Sequence, residues 1–168
     1  LLSQIYGGSG VATRLNANLR ETQGFTYGAY GGFDSDRLVG SFETQADVRN
    51  EVTDSALVEI RKEIVRLREE PVPTEELELI KSKSTGQFLA SLESPQTRAR
   101  FALNIARYGF PADYYQTYVE RLNATTPADV QAAARKYLKP DQMEILVVGA
   151  KDQILENLQA FAGDQPVQ

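Results

Sequence analysis

Residues 7–33 read GGSGVATRLNANLRETQGFTYGAYGGF, and the change of period inside this stretch decides the fold. Gly7-Gly8-Ser9-Gly10 groups residues that tolerate positive φ and ends whatever helix leads into it. Val11, Leu15 and Leu19 then recur at four-residue spacing, which predicts a helix over roughly 11–22, closed by Gly24. From Phe25 the period becomes two. Phe25, Tyr27, Ala29, Gly31 and Phe33 fall on one face of a strand, with Thr26, Gly28, Tyr30 and Gly32 on the other. A helix ending near Arg20 therefore runs into a strand that carries Tyr27, and a cation and a phenol arrive at the same junction.

Working outward, Asp34-Ser35-Asp36 is a turn signal, and residues 38–46 alternate again, with Leu38, Gly40 and Phe42 opposite Val39, Ser41 and Glu43. The two runs predict an antiparallel hairpin. Upstream, LLSQIY reads as the last turns of a helix, so further residues, the opening strands of a sheet among them, are expected before Leu1. Residues from about 50 to 138 carry helical period and helical punctuation. Leu57, Ile60, Ile64 and Leu67 recur at spacings of three and four until Pro71-Val72-Pro73 stops the helix. Thr74 is read as the cap of the next helix, with Glu75 and Glu76 at its positive end. Ser94-Pro95 and Thr126-Pro127 repeat a capping hydroxyl followed by proline at the first helical position, and Asp129 supplies a capping-box acid. Residues 143–148, MEILVV, predict a strand buried on both faces, followed by a helix over 152–161. The order helix, hairpin, helices, strand, helix describes one α+β domain over residues 1–168, with helices layered on one face of an antiparallel or mixed sheet.

Composition narrows the chemistry. The formal charge of −5, with Lys and Arg scattered along the chain, speaks against nucleic acid as a partner, because phosphate-tracking surfaces need concentrated positive charge. No apolar run approaches the roughly 20 residues of a membrane span. The chain has neither His nor Cys, so no Ser-His-Asp or Cys-His nucleophile can be assembled, and zinc would need an all-carboxylate site. If this domain serves catalysis, another domain or chain must bring the metal. The compartment stays open, since sulfur usage cannot report it.

Several features have plain structural readings. Arg20, taken alone, is a cation in a helix's last turn, facing the negative end of the dipole. Tyr27 alone is a core aromatic with its hydroxyl at the surface. The glycine cluster could cradle a phosphate, but no Lys-Ser/Thr follows it as a P-loop requires. Glu59, Glu63, Glu69, Glu70, Glu75 and Glu76 scatter around their helices and read as solvated charge rather than a carboxylate metal site.

The residues also carry a resemblance. GGSGVATRLNANLRETQGFTYGAY resembles the glycine turn, S/T-R-L, L-R-E and G-x-x-Y series of the non-zinc, C-terminal half of the pitrilysin/insulinase family of zinc metallopeptidases, to which processing peptidases also belong. PVPTEELELIKSKSTGQFLASLES, Tyr108-Gly109-Phe110-Pro111, Tyr114-Tyr115 and ATTPADVQAAARKYLKPDQMEILVVGA continue the resemblance in order along nearly the whole chain. It implies a ferredoxin-like α+β domain in a clam-shell of homologous halves. The other half carries H-x-x-E-H and the zinc, and this half binds peptide substrate, closes the chamber and is inactive by itself. Arg20 and Tyr27 match the pair that, in the family, contacts substrate backbone and the developing oxyanion. Gly7, Gly8 and Gly28 become candidates for the chamber lining, while Gly28, Gly31 and Gly32 would let an extended peptide approach the strand. The partners implied are the zinc-bearing half, in the same chain or as a separate subunit, and a peptide. A homodimer through an exposed sheet edge is a further expectation. Two other readings stay open: a non-catalytic assembly domain that keeps the fold, and a free-standing peptide-binding module.

Overall fold

The computed structural model of the chain describes residues 1–10, 12–35 and 38–162. Helix α1 (Leu2–Tyr6) buries Leu2, Ile5 and Tyr6 and ends at Gly7. Gly7 then lies against the first strand, its carbonyl accepting the Gly31 N–H at 2.9 Å. A Cβ on Gly7 would stand 2.6 Å from the Gly31 nitrogen, and one on Gly31 would stand 2.5 Å from Tyr6 Cε1. Glycine is required at both places by this close approach, and not at Gly7 by positive φ as the sequence suggested, because Gly7 sits at φ −155.

The expected helix over 11–22 is a π-helix over Asn16–Thr22. Its wider winding shows in the five-residue step from the Gln23 N–H to the Asn18 carbonyl (2.9 Å) and in the Thr22 hydroxyl reaching the Ala17 carbonyl (2.8 Å). Leu15 and Leu19 are fully buried, as their spacing predicts, while Val11 lies outside the described residues.

Strand β1 (Ala29–Ser35) pairs antiparallel with β2 (Gly40–Ala46), Ala29 opposite Ala46 and Phe33 opposite Phe42. The hairpin is the one predicted, with both strands starting later than their alternation suggests. Thr26 Oγ1 donates to the Gly28 carbonyl (2.8 Å) and accepts the Gly28 N–H (3.1 Å), so a side-chain turn occupies residues 26–28 and Tyr27 precedes the strand. Asp34 and Ser35, read as a turn, belong to β1, and Asp36 lies outside the described residues. The inner face of the hairpin meets α1: Tyr6 packs on Phe42 with ring centroids 5.1 Å apart, and its hydroxyl bonds Thr44 Oγ1 at 2.9 Å. Burial pushes the Tyr6 phenol well above its ordinary range.

Helix α2 (Thr53–Glu69) buries Ala56, Ile60, Ile64 and Leu67 at helical spacing, and α3 (Thr74–Ser91) returns along the core with Leu77 and Ile80. Thr74 starts α3 without a side-chain cap; Pro73 holds the cap position. The other two caps form as read. Ser94 Oγ accepts the Thr97 N–H ahead of α4 (Pro95–Tyr108), and Thr126 with Asp129 closes a complete capping box on α6 (Pro127–Tyr137) after the short α5 (Tyr118–Ala124). Tyr137 meets Phe33 edge-on at 6.0 Å, so α6 closes over the inner face of the hairpin. Helices thus cover one face of the antiparallel strands, while Tyr30, Glu43 and Gln45 face outward, as an α+β layer arrangement requires.

Residues 143–148 depart from expectation. They form no strand, and Leu146 and Val148 are 90% and 91% exposed. A strand exists only through its ladder, and among the described residues no backbone group of this run finds a partner. The run lies beside α7 (Lys151–Ala162), and the two enclose, with Leu57 of α2, a groove of about 1070 Å³ lined by Met143, Val147, Ile154, Leu158 and Phe161.

Candidate functional site

The junction of the π-helix and β1 is held by an asparagine. Asn16 is 2% exposed, and its side chain spends both amide hydrogens and its oxygen: Nδ2 donates to the Gly10 carbonyl (3.3 Å) and Thr13 Oγ1 (3.2 Å), while Oδ1 accepts the Ala29 N–H (2.9 Å). One residue therefore ties the glycine turn, the π-helix and the first residue of β1 together.

Two more side chains, one just before the π-helix and one within it, fasten this segment to the helical layer. Arg14 forks onto Glu76 at the first turn of α3, Nε to Oε1 at 2.9 Å and Nη2 to Oε2 at 2.8 Å, and this hydrogen bonding holds the guanidinium above even its usual high pKa. Asn18 Nδ2 donates to Glu59 Oε2 (2.8 Å) and Glu63 Oε1 (2.9 Å) on α2, and the bond from Asn18 is the leading reason the Glu59 carboxyl titrates below its ordinary value. The acids read as solvated charge are thus partly structural: Glu63 is buried, and Glu59 and Glu76 hold the π-helix. Asparagine favours caps and turns over helix interiors, so two asparagines inside one helical run were the available signal for these contacts.

The two candidate substrate-contacting residues project from this frame. Arg20 stands in the last turn of the π-helix, its side chain 40% exposed and its Nε 3.3 Å from Glu21 Oε1. Tyr27 is 100% exposed in the 26–28 turn, so the core-aromatic reading of it does not hold. Between them Gly24, at φ +63, turns the chain in a conformation that favours glycine, and its carbonyl accepts Arg49 Nη1 at 3.2 Å. Gly8 and Gly28 are half-buried close by in sequence, whereas Gly7 is buried beneath Gly31.

The residues present do not suit a zinc ion. The chain has no His or Cys, and among the described residues no three Asp or Glu side chains are grouped to hold a metal.

The profile of the peptidase M16 inactive domain matches residues 1–84, the half of the chain that contains the glycine turn, the π-helix, the hairpin and α2. The chain belongs to the peptidase M16 inactive-domain family. No curated protein matches it. Among solved structures, this M16 domain is similar to a peptidase M16 inactive domain from Pseudomonas fluorescens (27% identity, TM-score 0.75, covering 83% of this chain and 33% of that one). It shares its fold with a protease from Helicobacter pylori (20% identity, TM-score 0.74, 84% and 34% covered). The same holds for a Bordetella pertussis protein named as a candidate zinc protease (22% identity, TM-score 0.68, 82% and 74% covered). The M16 domain described here spans about a third of the Pseudomonas and Helicobacter chains.

Proposed function

We propose that this M16 domain is the substrate-binding, chamber-closing half of a zinc-dependent metalloendopeptidase, completed by a homologous half that bears H-x-x-E-H. The observation that carries the reading is the display of Tyr27 and Arg20 in solvent on a junction that buried Asn16 ties together by hydrogen bonds. A phenol and a guanidinium held in this way are donors with little else to satisfy. Peptide hydrolysis develops negative charge on the former carbonyl oxygen, and preorganised donors in a closed chamber stabilise that charge more than they stabilise the neutral substrate. In this division of labour the partner supplies the metal and the water it activates. This chain contributes orientation of the peptide, exclusion of water and two hydrogen-bond donors.

The test is a tagged purification at native expression level, with mass spectrometry of both the full-length natural chain and whatever copurifies. The expected result is an H-x-x-E-H segment in the same chain or in a stoichiometric partner. Recovery of only zinc-motif-free proteins would favour a non-catalytic assembly role instead.

We also infer that the chain by itself pairs with a second copy, because residues 143–148 present exposed apolar side chains and a backbone that finds no partner among the described residues. Sedimentation of the 168-residue chain should show concentration-dependent dimers that L146K/V148K abolishes; a wild-type monomer throughout the micromolar range would remove the dimer.

A further inference from the structure

Helix α4 carries a feature that the peptidase reading does not use. Its inner face is fixed by aromatic stacking: Phe101 lies parallel to Tyr115 with centroids 3.8 Å apart and to Phe88 at 5.8 Å, and Asn104 Nδ2 donates to the Tyr115 hydroxyl at 3.1 Å. With Phe101 and Asn104 turned inward, the 100° step of the helix puts Leu103 and Ala99 on the opposite, outer face. Leu103 is 69% exposed, and Ala99 is exposed beside it. Arg98 borders this apolar strip on one side, and Arg100 and Arg107 border it on the other, all three exposed.

The charge on this face is one-sided. Residues 94–112 contain three arginines and no aspartate or glutamate, in a chain whose formal charge is −5. Elsewhere the described arginines find acceptors: Arg14 meets Glu76, Arg61 meets Asp141 and Arg66 meets Glu70, while Arg68, Arg121 and Arg135 donate to backbone carbonyls. Arg98, Arg100 and Arg107 form no ion pair among the described residues, and Arg107 only leans over the Tyr108 ring at 5.4 Å. The nearest acids in sequence, Glu93 and Asp113, lie outside the helix at its two ends. An apolar strip flanked on both sides by unpaired guanidinium groups has the pattern of one side of a helix–helix interface, where flanking charges select an oppositely charged partner.

We propose that the outer face of α4 docks an acidic amphipathic helix of a partner protein, leucine-type side chains against Leu103 and carboxylates against Arg98, Arg100 and Arg107. The basis is charge complementarity: the flanks are all positive, arginine is the cation favoured at interfaces, and its fork matches carboxylates in pairs. This assignment is independent of the metallopeptidase reading and can fail without it.

The experiment uses the whole chain and a synthetic helical peptide with leucines at helical spacing flanked by glutamates, read by fluorescence anisotropy at low salt. The wild type should bind in the micromolar range and lose affinity as salt approaches ~1 M, where exposed pairs are screened. R98E/R100E/R107E should bind the acidic peptide about tenfold more weakly, in keeping with three modest exposed pairs. The same variant should bind the lysine-for-glutamate peptide more tightly than the wild type does, which a merely misfolded variant could not do. Equal affinity for the acidic peptide and its glutamine analogue would overturn the proposal. So would binding to phosphatidylcholine vesicles containing phosphatidylserine without binding to the peptide, since that outcome assigns the arginines to an anionic membrane surface.

Discussion

With a zinc-bearing half reconstituted around this domain, Tyr27→Phe should lower peptidase kcat by about 100- to 1000-fold, the usual effect of removing one oxyanion donor. Phenylalanine keeps the ring and deletes only the hydroxyl, so the loss should fall on kcat, with KM little changed, if the bond forms mainly in the transition state. Arg20→Ala should produce a loss of the same order together with a raised KM, because a guanidinium that also grips substrate backbone acts in the ground state as well. The two losses should not add, since both groups serve one developing charge. Neither change should disturb folding or assembly of the domain. Tyr27 is fully exposed, and the ion pair of Arg20 with Glu21 is exposed, where such pairs contribute little to stability. Single-turnover assays beside size-exclusion chromatography of the complex separate the cases. Turnover within about twofold of wild type for both variants would sink the oxyanion role and favour an assembly domain.

The parts of the fold that sequence made legible are those in which neighbours along the chain decide the outcome. The four-residue spacing of Leu15 and Leu19, the spacing of Ile60, Ile64 and Leu67, and the capping hydroxyls of Ser94 and Thr126 are local patterns, and each is realised. The antiparallel hairpin followed from two successive alternating runs, whereas its register, with Phe33 opposite Phe42 and the ladder continuing through Asp34 and Ser35, did not. What was not legible depends on distant partners. The π-winding of residues 16–22 accompanies Asn18 reaching α2, 41 residues further on, and Arg14 reaching α3, 62 residues further on. Residues 143–148 have the apolar composition of a buried strand, yet composition cannot supply the neighbouring strand whose backbone would complete it. Tyr27 misled in the opposite direction: alternation assigned it to a strand face, and the hydroxyl of Thr26 instead made a turn that lifted it into solvent. The candidate pair was visible only as a resemblance, whereas the frame that displays it is visible only in three dimensions.

That frame yields the second large expectation. Asn16→Leu should destabilise the domain by about 2–4 kcal/mol, because it leaves the Ala29 N–H, at a residue with no exposure, without an acceptor and removes the side-chain donor shared by the Gly10 carbonyl and the buried Thr13 hydroxyl, which keeps only the backbone N–H of residue 16. Leucine nearly matches asparagine in shape, so the loss reflects unsatisfied polar groups and not a cavity; it is a sizeable share of the ~5–15 kcal/mol that holds a domain of this kind together. Asn16→Asp should be intermediate at neutral pH: a carboxylate still accepts the Ala29 N–H, but it replaces the amide that donated to the Gly10 carbonyl with a charge that cannot donate. Urea unfolding of the three proteins gives the order of stability, and amide hydrogen exchange at Ala29 locates the damage, with protection expected to fall most in the leucine variant. Unchanged stability together with unchanged Ala29 protection would show that the junction is held by the burial of Leu15 and Leu19 alone. In that case Arg20 and Tyr27 would owe their placement to apolar packing, and the buried amide of Asn16 would have no part in displaying the candidate donors.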